Sequence, residues 1–210
     1  MRFADVDGVT VDGYGTLLEL RDPIPALQAT LAERGVERDR DVLRRAFGIE
    51  SEYYRANSLR ARDEDTLTDL RRDCAEVFLA AAGAELDAGE FAPAYVSALV
   101  FEPVRGAIAT LEALAARGLA LALVANWEHS LRHHLREHGL ERHFASVVIS
   151  AEVGAKKPDP RPFLVALDEL RVPPARAVHV GDDEVDQRGA AVAGMRFRWA
   201  PLATAFDAWT

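Results

Sequence analysis

The chain has 210 residues, of which 49% are hydrophobic and 28% are charged, so it can bury a sizeable core as a soluble globular protein. Its 34 acidic and 25 basic side chains give a formal net charge of −9. This charge argues against nucleic acid or an anionic membrane as the main partner, because the phosphate groups of either would repel an acidic surface.

The chain opens with a predicted strand and continues with a long helical block. Residues 8–11, GVTV, are a short apolar run that predicts a buried strand. Between residues 17 and 100 the apolar side chains recur at helical spacing, and this stretch contains no convincing strand pattern. We predict helices over residues 24–31, 43–54, 67–81 and 91–99. Thr66 and Asp69 have the spacing of a capping box at the start of the third helix.

After Pro103 the pattern changes to short apolar runs that alternate with amphipathic segments. The apolar runs predict strands over residues 119–125, 146–150, 177–180 and 195–199. The segments between them predict helices over residues 108–114, 131–135, 163–170 and 185–193. Strands that alternate with helices in this way predict an α/β fold built on a doubly wound parallel sheet.

The helical block and the region of alternating strands and helices predict two domains. Residues 1–18 and 101–210 form a Rossmann-like α/β core, and residues 19–100 form a helical domain inserted after the first strand. Such an inserted domain could act as a lid over a site on the core.

Three features of the sequence favour a cytoplasmic location. Cys74 is the sole cysteine, so an intramolecular disulfide is excluded and a reducing compartment is the natural environment. The first residues, MRFADVDG, lack the basic and apolar regions of a signal peptide. The longest apolar run, Leu119 to Ala125, is far shorter than the roughly 20 residues that a membrane-spanning helix needs.

Polar side chains follow the carboxyl ends of four predicted strands, the edge at which open α/β sheets bind ligands. These residues, in chain order, are Asp12 with Gly13, Asn126, Lys157, and Asp182 with Asp183 and Asp186. Clustered carboxylates repel one another unless a cation lies between them, and oxygen ligands without histidine or cysteine favour Mg²⁺. Magnesium suits a phosphate, which the main chain at Gly13 could approach closely and Lys157 could neutralise.

Four segments in this order resemble the motifs of the haloacid dehalogenase superfamily. They are VTVDGYGTL at residues 9–17, VANW at 124–127, KKPDP at 156–160 and VGDDEVD at 180–186. The resemblance covers the whole chain, including a helical cap between the first motif and Pro103. It implies a hydrolase with a Rossmann-like core, most similar to the capped phosphatases of the superfamily.

The resemblance implies a role for each matched residue. Asp12 would be the nucleophile that attacks phosphorus, and Lys157 would orient Asp12 and stabilise charge on the transferring group. Binding of the phosphate would involve Gly13, Tyr14, Asn126 and Lys157. The ligands to Mg²⁺ would be Asp12, the main-chain carbonyl of Tyr14 and Asp182, with Asp183 or Asp186 holding metal-bound water or the lysine. The implied reaction is Mg²⁺-dependent hydrolysis of a small phosphorylated metabolite through an aspartyl-phosphate.

Two residues depart from the phosphatase pattern. Tyr14 stands where the phosphatases carry an aspartate as general acid and base, and Ala125 stands where they carry a serine or threonine hydroxyl. General acid catalysis is worth about 10²–10⁴-fold, and one donor to the transition-state anion about 10²–10³-fold. We therefore expect weak activity that favours acyl or aryl phosphates, and a catalytically impaired relative that binds a phosphorylated ligand remains an alternative.

A metal-independent 2-haloacid dehalogenase is a second alternative. Tyrosine two residues after the nucleophile also occurs in these enzymes, whose aspartate attacks carbon and expels a halide that needs neither a proton nor a metal. They lack the acidic cluster of the fourth motif, whereas this chain retains Asp182, Asp183 and Asp186. The retained carboxylates favour the phosphatase interpretation.

Other polar residues allow competing interpretations. The sequence DVDGVT at residues 5–10 also fits the first motif of the superfamily, with Asp5 as the nucleophile and Asp7 as the general acid. The segment before it is, however, too short for a good buried strand. We therefore favour Asp12 as the nucleophile. The histidine pairs His129/His133 and His134/His138 have helical i,i+4 spacing, yet they lack the H-E-x-x-H pattern of zinc enzymes, and a polar helix surface is the simpler interpretation. His179 lies within a predicted buried strand and is expected to be a hydrogen-bonded core histidine.

Overall fold

The computed structural model describes residues 3–208, so residues 1, 2, 209 and 210 of the predicted core lie outside the described residues. The chain divides into two compact units. The first unit runs up to Glu19 and resumes at Glu102, and the second unit is Leu20–Phe101. Within the described part of the chain, no helix combines the length and the hydropathy that crossing a membrane requires.

The first unit is built on a parallel sheet. Along the described chain the strands are β1 (Gly8–Val11), β2 (Leu18–Leu20), β3 (Phe101–Pro103), β4 (Ala120–Ala125), β5 (Ser146–Ile149), β6 (Ala177–Gly181) and β7 (Arg196–Trp199). The main sheet has the order β5-β4-β1-β6-β7, and each neighbouring pair in it is parallel. This arrangement confirms the predicted α/β fold.

The helices divide between the two units. In the second unit they are α1 (Ile24–Ala32), α2 (Arg40–Asn57), α3 (Glu64–Ala82) and α4 (Ala88–Ser97), and in the first unit α5 (Ala107–Ala116), α6 (Leu131–Glu137), α7 (Ser150–Val153), α8 (Arg161–Leu170) and α9 (Glu184–Val192). Helix α8 packs against β4 and β5, and α9 packs against β6 and β7. The crossover from each strand to a parallel neighbour requires such a helix, because a tight turn can join only antiparallel strands.

Strands β1 and β6 lie in the middle of the sheet and are buried along their whole length. In their register Gly8 is opposite Ala177, and Thr10 is opposite His179. Because the two strands are parallel and in step, the residues that follow them emerge at the same edge of the sheet. Asp12 and Asp182 are those residues.

The second unit has a hydrophobic core of its own. Its most buried aromatic residues are Phe78, Phe91 and Tyr95, whose ring centroids lie 5.0–6.3 Å apart. Helix α2 packs on α3, and α3 packs on α4. The predicted pairing of Thr66 with Asp69 is wrong, because Asp63 is the N-cap of α3 and Thr66 is its third residue. The Asp63 carboxylate accepts a hydrogen bond from the Thr66 N–H at 2.9 Å, which makes it the capping acceptor.

The structure also contains short elements that sequence periodicity does not predict. Strand β2 lies within the stretch expected to contain no strand, and it pairs with β3 in a two-stranded sheet. Each of these strands has three residues, which is too short to show an alternating pattern, and the partners are about 80 residues apart in sequence. Helix α7 is likewise a single turn directly after β5.

Candidate active site

Asp12 lies at the first turn beyond β1, where the chain bends sharply. The Asp12 N–H donates to the Val180 carbonyl at 2.9 Å, and the side chain is buried. The Gly13 carbonyl then accepts hydrogen bonds from the N–H groups of Leu17 and Leu18, at 3.0 and 2.8 Å, which closes the loop on itself. A Cβ at Gly13 would lie 2.9 Å from the Cβ of Ala125, so the loop can approach the end of β4 only because residue 13 is glycine.

Gly15 brings the same loop against Asp182. Its φ of +82° is in the left-handed region that favours glycine. A Cβ at this position would lie 2.1 Å from Oδ2 of Asp182, a distance at which one of the two groups would have to move. The loop after β1 and the loop after β6 are therefore in close contact at the carboxyl edge of the sheet.

Lys157 reaches into this edge from the loop between α7 and α8. Its Nζ forms an ion pair with Oδ1 of Asp12, lies 2.6 Å from Oδ1 of Asp186, and donates to the Val124 carbonyl at 2.9 Å. The residue is only 3% exposed. Burial lowers the pKa of Lys157, but the charges of Asp12 and Asp186 outweigh it and raise the pKa, so the ammonium ion is favoured.

Asn126 holds the main chain of Lys157 in place. Its Oδ1 accepts from the Lys157 N–H at 2.7 Å, and its Nδ2 donates to the Lys157 carbonyl at 3.1 Å. The sequence predicts that Asn126 binds phosphate, but the structure engages both ends of its side-chain amide with Lys157. The side chain therefore positions the lysine loop, and the binding of phosphate by Asn126 stays a prediction.

Asp186 is the most enclosed of the carboxylates. Its Oδ1 lies 3.1 Å from Nε2 of His179 as well as near Lys157, and its Oδ2 accepts from the Asp183 N–H at 3.2 Å. Burial disfavours the anion, but the hydrogen bond to His179 and the charge of Lys157 outweigh it and hold the pKa of Asp186 below its usual range. Burial also lowers the pKa of His179 to about 4, which makes the ring neutral at physiological pH.

Asp183 has a structural role in this arrangement. It is the N-cap of α9, and its Oδ1 accepts from the Val185 N–H at 3.1 Å. The candidate metal ligands among the described residues are Asp12, Asp182 and Asp186, with carboxylate oxygens all within 4.8 Å of one another, and Asp183 is outside this group. Its carboxylate is directed to the start of the helix, and a part for Asp183 in supporting the metal stays a prediction.

The electrostatics of these three carboxylates suit a divalent cation. Burial raises the pKa of Asp12 to about 7, aided by the charge of Asp186 and opposed by that of Lys157. Burial and the charge of Asp186 also raise the pKa of Asp182. One lysine charge thus faces three carboxylates, and the uncompensated negative charge, carried on oxygen atoms alone, is the donor set that Mg²⁺ prefers.

Tyr14 lies on the same loop as Asp12 and faces Trp127. The Tyr14 side chain is 53% exposed, and its ring centroid lies 6.3 Å from that of the buried Trp127. Tyr14 also forms a bridge with Leu18 that closes the loop. The phenol supplies no carboxyl group two residues after Asp12, and ligation of a metal by the Tyr14 carbonyl remains a prediction.

The competing first motif lies at the opposite end of β1. Asp7 precedes the strand, and its carboxylate pairs with the Arg176 guanidinium. Four residues of strand separate Asp7 from Asp12, a rise of about 13 Å. The paired histidines are likewise outside the acidic group: His129 lies 3.7 Å from Glu152, and His134 lies 3.9 Å from Glu137.

Thr10 and His179 contact the candidate active site more directly than the sequence indicates. His179 is buried and hydrogen-bonded as expected, but its partners are Asp186 and Thr10, whose Oγ1 lies 2.7 Å from Nδ1. Thr10 belongs to a run whose pattern predicts only an apolar strand. The signal in the sequence is that both are polar residues inside buried strands, each a few residues before a carboxylate that ends the strand.

Comparison with known proteins gives a consistent set of relatives. The family model of the haloacid dehalogenase-like hydrolases matches residues 3–194. Haloacid dehalogenase-like hydrolase domain-containing protein 3 of Bos taurus is 34% identical over 201 residues, which cover 89% of this chain and 78% of that protein. Phosphoserine phosphatase of Thermus thermophilus is 51% identical over 85 residues, which cover 40% of this chain and only 34% of that protein.

Solved structures show the same relationship. The 2-haloacid dehalogenase from Pseudomonas syringae has a TM-score of 0.63 and 29% sequence identity, with 92% of this chain and 86% of that chain covered. A HAD phosphatase from Thermococcus onnurineus has a TM-score of 0.59 and 27% identity over the same shares of the two chains. The structural neighbours thus include proteins named for both of the reactions that the sequence leaves open.

Proposed function

The chain belongs to the haloacid dehalogenase-like hydrolases, and from this premise we propose that it is a Mg²⁺-dependent phosphatase that acts on a small phosphorylated metabolite. The observation that carries the proposal is the group formed by Asp12, Asp182 and Asp186, whose carboxylate oxygens lie within 4.8 Å of one another beside Lys157. A reaction at carbon with an anionic haloacid would not benefit from so much buried negative charge, whereas a metal-bound phosphate would.

The residues present fit a magnesium ion. Asp12 and Asp182 are the carboxylates that would hold it, because both oxygens of Asp186 already accept hydrogen bonds or ion pairs from protein groups. Asp186 would then act on the site through Lys157. When bound, Mg²⁺ would neutralise the carboxylates and the phosphate oxygens that face them.

Asp12 is the proposed nucleophile. One of its carboxylate oxygens forms a bond to phosphorus, and the bond from phosphorus to the leaving oxygen breaks with its electron pair on that oxygen. Water then attacks phosphorus and gives up a proton to the solvent. The bond between phosphorus and Asp12 breaks, and the carboxylate and inorganic phosphate are released.

Lys157 would hold the nucleophile and compensate charge. Its ammonium group is already paired with Asp12, and the Val124 carbonyl and Asp186 fix its direction. Asn126 fixes its main chain. A cation preorganised in this way stabilises the negative charge that develops on the phosphoryl oxygens without reorganisation during the reaction.

The first loop suggests which phosphorylated compounds react fastest. Tyr14 stands two residues after Asp12, where a carboxyl group could otherwise protonate the leaving oxygen. Leaving groups that depart as stable anions need no such proton. We therefore propose acyl and aryl phosphates as the better substrates of the isolated protein.

Relatives support a small phosphorylated substrate. Three of them are named phosphoserine phosphatase, glyceraldehyde 3-phosphate phosphatase and phosphoglycolate phosphatase. We propose a substrate of this size, a cytoplasmic location, and a cap role for the helical unit Leu20–Phe101.

The experiment is phosphate release from para-nitrophenyl phosphate and acetyl phosphate, with Mg²⁺ and with EDTA. The matched controls are Asp12→Asn, which removes the nucleophile, and Asp7→Asn, which changes an aspartate at the opposite end of β1. Mg²⁺-dependent release that Asp12→Asn abolishes and Asp7→Asn retains is the expected result. Retained activity in Asp12→Asn would contradict the proposal.

A 2-haloacid dehalogenase is the second candidate, and Tyr14 is the observation that favours it. In that reaction Asp12 would form a bond to the carbon that carries the halogen, halide would leave with the bonding electrons, and water would hydrolyse the resulting ester. Chloride release from 2-chloropropionate in EDTA tests it directly. A protein that releases neither phosphate nor chloride, but is stabilised by a phosphorylated ligand, would instead be a binding relative.

A further inference from the structure

A buried chain of polar groups runs from the centre of the sheet to the carboxylate edge. It begins at the Thr10 hydroxyl on β1, which lies 2.7 Å from Nδ1 of His179 on β6. It continues from Nε2 of His179 to Oδ1 of Asp186, at 3.1 Å, and from that oxygen to Nζ of Lys157, at 2.6 Å. Thr10 and His179 are 0% exposed and Asp186 is 1% exposed, so protein groups replace water along this path.

The chemistry of the partners fixes the direction of each hydrogen bond. The ionised carboxylate of Asp186 can only accept, so Nε2 of His179 carries the proton and donates. In a neutral imidazole the other nitrogen is then an acceptor, and the Thr10 hydroxyl must donate to Nδ1. Asp186 therefore selects the tautomer of His179 that presents N–H to it, and Thr10 anchors the other side of the ring by donating to Nδ1.

Packing leaves the imidazole ring little freedom to rotate. Phe163 contacts it edge to face, with ring centroids 4.9 Å apart, and Phe197 lies 6.2 Å away. Asp186 can approach the end of β6 because residue 181 is glycine: a Cβ there would lie 2.5 Å from the Asp186 carboxyl carbon. The ring and the carboxylate are thus held from both sides.

We propose that His179, oriented by Thr10, is a positioning residue that holds Asp186 in the rotamer that directs Lys157 toward Asp12. Without the imidazole N–H, Oδ1 of Asp186 would keep only the Lys157 contact, and Oδ2 would keep only the 3.2 Å hydrogen bond from the Asp183 N–H. The carboxylate could then rotate about that remaining hydrogen bond and draw the ammonium group away from Asp12. The inference rests on the proposed function only for its effect on catalysis, because the hydrogen-bond arrangement exists whatever the reaction.

The arrangement is tested without activity by ¹⁵N NMR of the histidine side chains. We expect His179 to be the neutral tautomer with the proton on Nε2, and Lys157 to show a slowly exchanging ammonium signal. Thr10→Val, which has the same shape without the hydroxyl, should shift the Nδ1 signal to that of an unbonded nitrogen, whereas Thr10→Ser should keep the wild-type value. A proton on Nδ1 in the wild type would overturn the proposal.

The effect on catalysis is tested by a pair of variants of similar length. His179→Gln keeps an N–H donor near Nε2, and His179→Met removes it. If both variants fold, as judged by circular dichroism and thermal unfolding, kcat should fall about 10- to 100-fold in His179→Met with little change in KM, a loss typical of groups that orient a reacting residue. His179→Gln should recover most of that loss and of the Lys157 ammonium signal.

Equal kcat values in the two folded variants would refute the positioning role while leaving the phosphatase proposal intact. Inactivity of the wild-type protein toward every phosphate ester would refute the phosphatase proposal. In that case the Lys157 ammonium signal decides the positioning role: its loss in His179→Met and retention in His179→Gln supports the role, and its retention in both refutes it.

Discussion

The side-chain amide of Asn126 forms hydrogen bonds with both main-chain polar groups of Lys157. Its Oδ1 accepts from the Lys157 N–H at 2.7 Å, and its Nδ2 donates to the Lys157 carbonyl at 3.1 Å. The two residues are 31 positions apart in sequence and belong to loops that follow β4 and α7. One amide therefore joins two loops at the carboxyl edge of the sheet and sets where the lysine side chain begins.

Asn126→Ala should reduce activity more than it reduces stability. The loss of two hydrogen bonds of about 1 kcal/mol each lowers the free energy of unfolding by about 1–3 kcal/mol, and a loosened Lys157 should lower kcat by about tenfold or more. Asn57→Ala is the matched control, since Asn57 also makes two side-chain hydrogen bonds, to Tyr53 and Arg60. Equal effects of both variants on kcat would contradict this role of Asn126.

Magnesium should stabilise the wild-type protein, and the adjacent residues Asp182 and Asp183 should differ in their effect on that stabilisation. A ligand at a hundred times its dissociation constant raises the free energy of unfolding by about 2.7 kcal/mol. Asp182→Asn should abolish most of the Mg²⁺-induced rise in Tm because Asp182 belongs to the acidic group. Asp183→Asn should retain it, because Asp183 caps α9 and asparagine caps equally well. Loss of the Mg²⁺ response in Asp183→Asn alone would reverse this assignment.

Much of the α/β unit could be predicted from the sequence because its inner strands, β1, β4 and β6, are buried on both faces. Continuous apolar runs such as LALVA, at residues 121–125, mark such strands, and the polar residue that follows each run marks the edge where ligands bind. The meeting of Asp12, Lys157 and Asp182 follows from parallel strands that end at one edge. Strands as short as β2 leave no comparable pattern.

The exact use of each side chain at that edge could not be predicted from the sequence. Asp183 and Asp186 both follow Asp182 within four residues, and only the direction in which α9 starts decides which carboxylate faces Lys157 and which one caps the helix. Asn126 likewise has a side-chain amide that could bind an anion, but its contacts depend on the path of the loop that carries Lys157, 31 residues further along the chain. These choices are made by tertiary packing, which local spacing does not encode.

Gly15→Ala should disrupt the metal response through a steric contact. The added Cβ would lie 2.1 Å from Oδ2 of Asp182, so the carboxylate would have to move. Gly118→Ala is the matched control, since Gly118 has a similar φ of +78° and no atom beyond its chain neighbours lies within 4 Å of the position that its new methyl group would take. Both variants should lose about 1–2 kcal/mol of stability from the left-handed backbone, but only Gly15→Ala should lose the Mg²⁺-induced rise in Tm and the phosphatase activity. A normal Mg²⁺ response in Gly15→Ala would contradict the contact.

Glu50 should make the stability of the protein depend on pH. It lies on α2 with 4% exposure, inside the core of the helical unit, and burial raises the pKa of its carboxyl against the lowering effect of Cys74 and Tyr95. In the folded state the group thus stays protonated at a pH where the unfolded chain, with a pKa near 4.5, has already ionised. Its contribution to stability is therefore fully present below that pKa and is lost as the pH rises through the folded pKa.

Glu50→Gln should remove this dependence because glutamine keeps the shape of the protonated acid and cannot ionise. Each unit of separation between the folded and unfolded pKa is worth about 1.4 kcal/mol, so the variant should unfold at a higher temperature than the wild type near pH 7. The difference should shrink as the pH falls toward the unfolded pKa. Glu52→Gln, on the same helix but exposed, should unfold like the wild type at every pH. A difference between wild type and Glu50→Gln that does not change with pH would show that packing, and not the ionisation of Glu50, is responsible.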